Sequence, residues 1–183
     1  MMERTKRVLF DLLLFIILVG LDRVTKKWAE ATLSDGTSIP IIKGIAEFYY
    51  LPNGNTGAAF GMLSGHRILF LIIAIVVVSV IFYLVINMPT VKKYKAVEIL
   101  LVFIAAGGAG NMIDRFFYGC VTDFIYISAI NFPIFNVADM YVSVCTVILA
   151  IIVLFKLKEE DYLIMEDSFM RPFKKRSGSN NDQ

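Results

Sequence analysis

Two carboxylates in apolar surroundings are the residues of this chain best suited to chemistry. Asp139 sits in NVADMYVSV, where an apolar helix is already beginning, and Asp123 sits in VTDFIY, an apolar stretch with strand character. An unpaired charge in either place is expensive, so each needs a partner or a proton. Two carboxylates brought to one site meet that need by sharing a proton, because like charges about 3 Å apart cannot both ionise comfortably. Such a pair hydrolyses without a metal or cofactor. One member takes a proton from water, while the protonated member polarises a carbonyl and later helps protonate a leaving amine. A purely structural role for Asp139 is also open: Asn136, three residues earlier, has capping-box spacing, and the helix dipole favours a carboxylate there.

Other hydrolytic chemistries lack their parts. Neither HExxH nor GxSxG occurs, and the single histidine, His66, reads as a loop residue without a serine or cysteine partner nearby. Cys120 and Cys145 lack CxxC spacing and are too few for a disulfide framework; Cys145 lies in an apolar run, and Cys120 has no basic partner. Lys26 has no serine at matching depth to activate. By contrast, Asp22, Asp114, Arg115, Asp123 and Asp139 all map to the same end of an apolar stretch or to the connection beside it. Asp22 and Lys26 share a helical face, so Asp22 also reads as half of an ion pair. In NTGAAFG, Asn55 either hydrogen-bonds a substrate peptide group or shapes a tight turn. In GGAGNMIDR, the small residues suit close helix packing, and Asn111 shares a face with Arg115.

The elements that must carry these residues are membrane helices. With 57% of its 183 residues hydrophobic and 19% charged, the chain is too apolar for an ordinary soluble domain. Apolar stretches at 8–28, 68–88, 96–113 and 137–155 predict four transmembrane helices in one integral membrane domain, residues 1–158. Arg4, Lys6 and Arg7 precede the first stretch, Lys92, Lys93 and Lys95 lie between the second and third, and Lys156 and Lys158 follow the last. That bias predicts cytoplasmic termini and extracytoplasmic connections at about 29–67 and 114–136. Arg23, Lys26 and Lys27 crowd the opposite end of the first stretch. Alternation in SIPIIKGIAEFYYL predicts a small extracytoplasmic β element, ended by Pro52, Asn53 and Gly54. Residues 159–183, ending in RPFKKRSGSNNDQ, read as a disordered cytoplasmic tail whose basic cluster meets anionic membrane lipid. A net charge of +2 does not point to nucleic acid.

Five motifs in order, LDRVTK, NTGAAFG, GGAGNMIDR, VTDF and FNVAD, span most of residues 21–140. Together with the four-span frame they resemble the lipoprotein signal peptidases, also called signal peptidase II. The resemblance implies an aspartic endopeptidase of the bacterial inner or cytoplasmic membrane, acting as a monomer and inhibited by globomycin. It would remove the signal peptide from diacylglyceryl-modified prolipoproteins by cleaving before the lipidated cysteine at the extracytoplasmic face. Asp123 and Asp139 would be the catalytic pair, with Asp22, Asn55, Asn111, Arg115 and Asn136 supporting substrate or site and Asp114 structural. The competing classes are a proton-coupled transporter component, whose acids would be spaced across the bilayer, and a structural membrane subunit indifferent to loss of either aspartate.

Overall fold

The computed structural model describes residues 2–57 and 66–178. Its helices are α1 (Met2–Leu33), α2 (Arg67–Asn87), α3 (Lys95–Tyr118), α4 (Val137–Phe155) and α5 (Glu159–Gly178). The strands are β1 (Ser38–Ile42), β2 (Ala46–Tyr49) and β3 (Ile125–Tyr126). Among the described residues, three helical segments are long and apolar enough to cross a membrane: α2, α3 with the single turn before it, and α4. At about 1.5 Å per residue, the 19 residues of α4 rise roughly 28 Å, close to the hydrocarbon thickness of a bilayer. The 32-residue α1 is longer, but Asp11, Asp22, Arg23, Lys26 and Lys27 interrupt its apolar sequence.

Helix α3 is the centre of the bundle and packs against α1, α2 and α4. Small residues make this possible. A Cβ added to Gly107 would lie 2.5 Å from the Ala138 carbonyl oxygen, and one added to Gly110 would lie 2.5 Å from Asp22 Oδ2. Glycine at these two positions brings α4 and the Asp22 carboxylate directly against the α3 backbone. The buried apolar cluster runs from Leu18 through Val102, Ala105 and Ala106 to Ile81, Val85 and Met165. Outward, α1 exposes Leu9, Leu13 and Ile16, α2 exposes Ile68, Ile72 and Val76, and α4 exposes Val147, Ile151 and Leu154. An apolar exterior around a tightly packed interior is the polarity of a protein dissolved in lipid.

The β element is a three-stranded antiparallel sheet in the order β1-β2-β3, with Ile39 opposite Phe48 and Phe48 opposite Ile125. Gly44, at φ +74°, turns the chain between β1 and β2, and Pro40 is tolerated because β1 is an edge strand. Trp28 at the end of α1 meets Phe48 and Phe124 edge-on, at centroid distances of 5.1 and 6.2 Å, and so seats the sheet on the bundle. Asn53 (φ 65°) and Gly54 (φ 67°) end the strand region with left-handed backbone.

One expectation is corrected. The segment after 158 is helical over Glu159–Gly178 rather than disordered, because it docks on the bundle. Met165 enters the buried cluster, and Ser168 Oγ donates to the Asn87 carbonyl at 2.7 Å. Asp161 takes hydrogen bonds from Lys93 Nζ, Tyr94 OH and the Lys158 backbone N–H. Burial of one face and satisfaction of the first turn stabilise a helix that composition alone would leave unfolded. Residues 179–183 of the expected tail, and 58–61 of NTGAAFG, lie outside the described residues.

Candidate active site

At the end of the bundle that carries the sheet, three segments converge. The stretch after β2 is tied to the stretch after α3 by reciprocal bonds between Asn55 and Val121, both 2.8 Å, and by Leu51 N–H donating to the Asp123 carbonyl at 3.0 Å. The stretch before α4 is tied in by Phe124 and Ile125 N–H groups, both donating to the Phe135 carbonyl. These short ladders place Asn55, Asp123 and Asn136 side by side despite their separation in sequence.

Asn136 is the N-cap of α4 and forms a full capping box with Asp139. Its Oδ1 accepts from Asp139 N–H at 3.0 Å, while Asp139 Oδ2 accepts from Asn136 N–H at 3.1 Å. The structural role foreseen for Asp139 is therefore real, yet it occupies one carboxylate oxygen only. The other, Oδ1, accepts from Asn111 Nδ2 at 2.7 Å. Asn136 Nδ2 reaches the second acid, donating to Asp123 Oδ1 at 2.6 Å, and also contacts Asn111 Oδ1 at 3.1 Å. Asn55 donates to Asp123 Oδ2 at 2.9 Å while its own Oδ1 accepts from Gly57 N–H, so it is both turn former and contact to the acid. Both carboxylates are thus held by three amide side chains.

Asp123 is 1% exposed. Burial, and then the charge of Asp139, push its carboxyl up to about 7, against the opposing pull of the Asn55 and Asn136 hydrogen bonds. Neutral amides orient the carboxylate without neutralising it. A carboxyl raised in this way beside a second carboxylate is an arrangement in which two acids can share a proton.

Behind the amides stands a buried ionic layer. Lys26 Nζ contacts Asn111 Oδ1 at 2.9 Å, Asp22 Oδ2 at 2.9 Å and Asp114 Oδ2 at 2.7 Å. Arg23 pairs with Asp114 at 2.5 Å. Asp22 also accepts from Ala138 N–H, in the first turn of α4, at 3.1 Å. Asp22 is therefore an ion-pair member, as its spacing allowed, and also an anchor for the helix that bears Asp139. Arg115 stands apart from this layer, donating to the Gly57 carbonyl at 2.9 Å with its guanidinium over the Phe70 ring.

A cleft of about 450 Å³ opens beside the two acids. Asn55, Asn111, Arg115, Asp123 and Asp139 form its polar wall; Phe132, Pro133, Ile134, Phe135 and Met140 form an apolar one. Asp22 and Asn136 lie outside the lining, behind it. The sequence reading did not single out the apolar wall, nor the link from Lys26 to Asn111. The first had a legible signal: NFPIF is an apolar run in a connection too short to be a span. The second had none, because its partners are 85 residues apart.

Residues 14–155 match the family model described as signal peptidase (SPase) II. The chain belongs to that family. Among similar proteins, the lipoprotein signal peptidase of Clostridium novyi (strain NT) is 40% identical over 148 residues, covering 79% of this chain and 97% of the relative. The lipoprotein signal peptidase of Streptococcus pyogenes serotype M5 (strain Manfredo) is 40% identical over 157 residues, covering 86% and 98%. A bacterial membrane enzyme solved by the in meso method at 2.3 Å resolution superposes with a TM-score of 0.67 at 34% identity, covering 80% of this chain and 88% of that one. A second, at 1.9 Å, gives 0.68 at 33% identity. Together with the apolar helices, these likenesses make the chain a multi-pass membrane protein of the signal peptidase II family.

Proposed function

We propose that this chain is an aspartic endopeptidase that removes the signal peptide from diacylglyceryl-modified prolipoproteins, cleaving before the lipidated cysteine, with Asp123 and Asp139 as the catalytic pair. The observation that carries the reading is two carboxylates held by three neutral amides beside an apolar-walled cleft, with Asp123 raised to about 7. Asp139, at the positive end of α4, is the ionised base and takes a proton from water as the water oxygen bonds to the scissile carbonyl carbon. Asp123 gives its proton to the carbonyl oxygen. On collapse the carbon–nitrogen bond breaks, the amine leaves with the proton held by Asp139, and the hydroxyl proton returns to Asp123. Asn111 and Asn136 hold the pair in register, Asn55 tunes Asp123, and Asp22 fixes the start of α4. Arg115, in the cleft wall, orients the substrate backbone.

In this reading α1 is a fourth span, its acids and bases satisfied inside the bundle. The basic end faces the cytoplasm of a bacterial cell with both termini there, and the sheet and cleft face outward. A lipid-anchored substrate then presents its scissile bond at the membrane boundary while its signal helix and acyl chains stay in lipid. The enzyme is monomeric in this reading, and the apolar wall suits a cyclic peptide such as globomycin. A proton relay fits less well: no charged residue stands between Asp11 and Asp22 on α1 or between Glu98 and Asp114 on α3.

The test is cleavage of a diacylglyceryl-modified prolipoprotein by purified wild type, Asp123→Asn and Asp139→Asn, with folding of each checked by thermal unfolding. Each variant should lose turnover by roughly 10³-fold or more. Near-normal turnover by either folded variant would exclude the paired-acid mechanism.

A further inference from the structure

The opposite end of the molecule carries a second cavity, which the peptidase reading does not use. It measures about 870 Å³ and lies between α5 and the turn joining α2 to α3. Ile164, Ser168, Arg171 and Pro172 form one wall, on a single face of α5; Arg4 and the stretch 87–91 form the other. Two arginines line it and no carboxylate does. Two of its apolar lining residues, Ile164 and Val91, are 49% and 51% exposed. Helix α5 lies beyond residues 14–155, so this wall is outside the segment that defines the family.

Both arginines line the cavity, and the contacts of each leave guanidinium donors over. Arg4 NH2 donates to the Ile86 carbonyl at 2.9 Å and to Asn87 Oδ1 at 3.2 Å, using part of a five-donor group. Arg171 contacts Asp167 through Nε at 3.5 Å, an exposed pair on the same helix. Asn87, Thr90 and Ser168 add polar side chains to the lining. Two guanidiniums lining one opening, beside exposed apolar side chains, match a phosphodiester carrying acyl chains. Adjacent apolar helices put that opening at the edge of a lipid leaflet.

We propose that the cavity between α5 and the α2–α3 turn binds the headgroup of one anionic phospholipid from the adjacent leaflet, with Arg4 and Arg171 on its phosphate and its acyl chains over Ile164 and Val91. The inference needs the membrane frame but not the cleavage mechanism, so it survives or fails separately from the peptidase reading.

The experiment is native mass spectrometry of the full-length protein released from nanodiscs containing phosphatidylglycerol and phosphatidylcholine, read as phospholipid retained per chain. Wild type should retain one phosphatidylglycerol in preference to phosphatidylcholine. Arg4→Gln and Arg171→Gln should each lower that preference about fivefold, the effect of one basic residue near an anionic surface. Lys92→Gln, which removes a charge from the same end but not from the cavity, should leave it unchanged. Arg171 is 74% exposed at its side chain, so its variant isolates binding from folding; a thermal unfolding curve monitors Arg4→Gln. No retained lipid, equal retention of both lipids, equal losses in all three variants, or full displacement by soluble glycerol phosphate would each overturn the proposal.

Discussion

Both ends of the bundle bury acids against basic side chains, but at the sheet end two further acids are met by side-chain amides. At the basic end, Lys95 contacts Asp11 at 3.1 Å and Glu98 at 2.9 Å, and Arg7 lies 3.6 Å from Glu98. Asp161 there is met by Lys93 at 2.5 Å. At the sheet end, Asp22 and Asp114 are met by Lys26 and Arg23 in the same manner. Asp123 and Asp139 instead receive amide side chains. The consequence is visible in two aspartates outside the spans. The Lys158 backbone N–H and the Lys93 ammonium hold Asp161 down at about 2, whereas burial and a neighbouring carboxylate lift Asp123 to about 7. The two differ in surroundings as well as donors: Asp161 has a backbone N–H and an ammonium on its oxygens, whereas Asp123 lies buried beside a second carboxylate that its amide hydrogen bonds only partly offset.

Removing the Asn136 side chain, which donates to Asp123 and caps the helix that bears Asp139, should break that contrast most severely after loss of an acid itself. Asn136→Ala removes the contact to Asp123 and the α4 cap together, so turnover should fall about 10²-fold, in the range of a lost preorganised donor, with about 1 kcal/mol of stability. Asn136→Ser keeps a good cap and discards the bridge. Its unfolding midpoint should stay near wild type while turnover falls as far as in the alanine variant. If serine restored turnover, the cap rather than the bridge would be what the site needs.

The raised Asp123 carboxyl sharpens the comparison through pH. On the paired-acid proposal, turnover should fall tenfold per pH unit above about 7, as Asp123 loses its proton. Because the folded value exceeds the ordinary 3.8, the folded chain holds this proton more tightly than the unfolded chain. Its contribution to stability is therefore full below about 4 and is lost as pH rises toward 7, by up to a few kcal/mol. Asn55 favours the charged form through its 2.9 Å bond. Asn55→Ala should accordingly raise the value further and move the alkaline limb of the rate profile to higher pH. A limb that stays in place or moves down would remove Asn55 from the tuning of the pair.

Much of this was legible from residue types and periodicity, and what escaped did so for identifiable reasons. The stretch 137–155 coincides with α4, because Asn136 marks its start and unbroken apolar sequence follows. The stretch 96–113 is shorter than α3, which continues to Tyr118 and stops at Gly119 with φ 81°, because Asp114 and Arg115 find partners and need not end the helix. Asn55, Asn111, Asp123, Asn136 and Asp139 do converge on one site, while Asp22 works from behind it. The pairing of Asp11 with Lys95 was hidden, since Asp11 looks like an interruption of an apolar stretch until a helix 84 residues away supplies its cation. Helix α5 was hidden for a related reason: its charged composition suggests disorder, and only docking of Met165 and Asp161 gives it a fixed place.

The mildest test lies at the basic end. Asp161→Asn removes the carboxylate that binds Lys93 and caps the first turn of α5, yet keeps a side chain that accepts from the Lys158 N–H. Because the folded value lies below the ordinary 3.8, the wild-type contribution is present above about 4 and is lost as pH falls through about 2. At neutral pH the variant should therefore show faster amide hydrogen exchange over residues 159–171, while peptidase turnover stays within about twofold, since α5 contributes nothing to the cleft. Equal exchange in both proteins would mean that Met165 and Ser168 hold the helix without the charge. A large loss of turnover would mean that the two ends are coupled through α3, the one helix that carries residues of both ionic layers and of the cleft, with Glu98 at one end and Asn111 and Asp114 at the other.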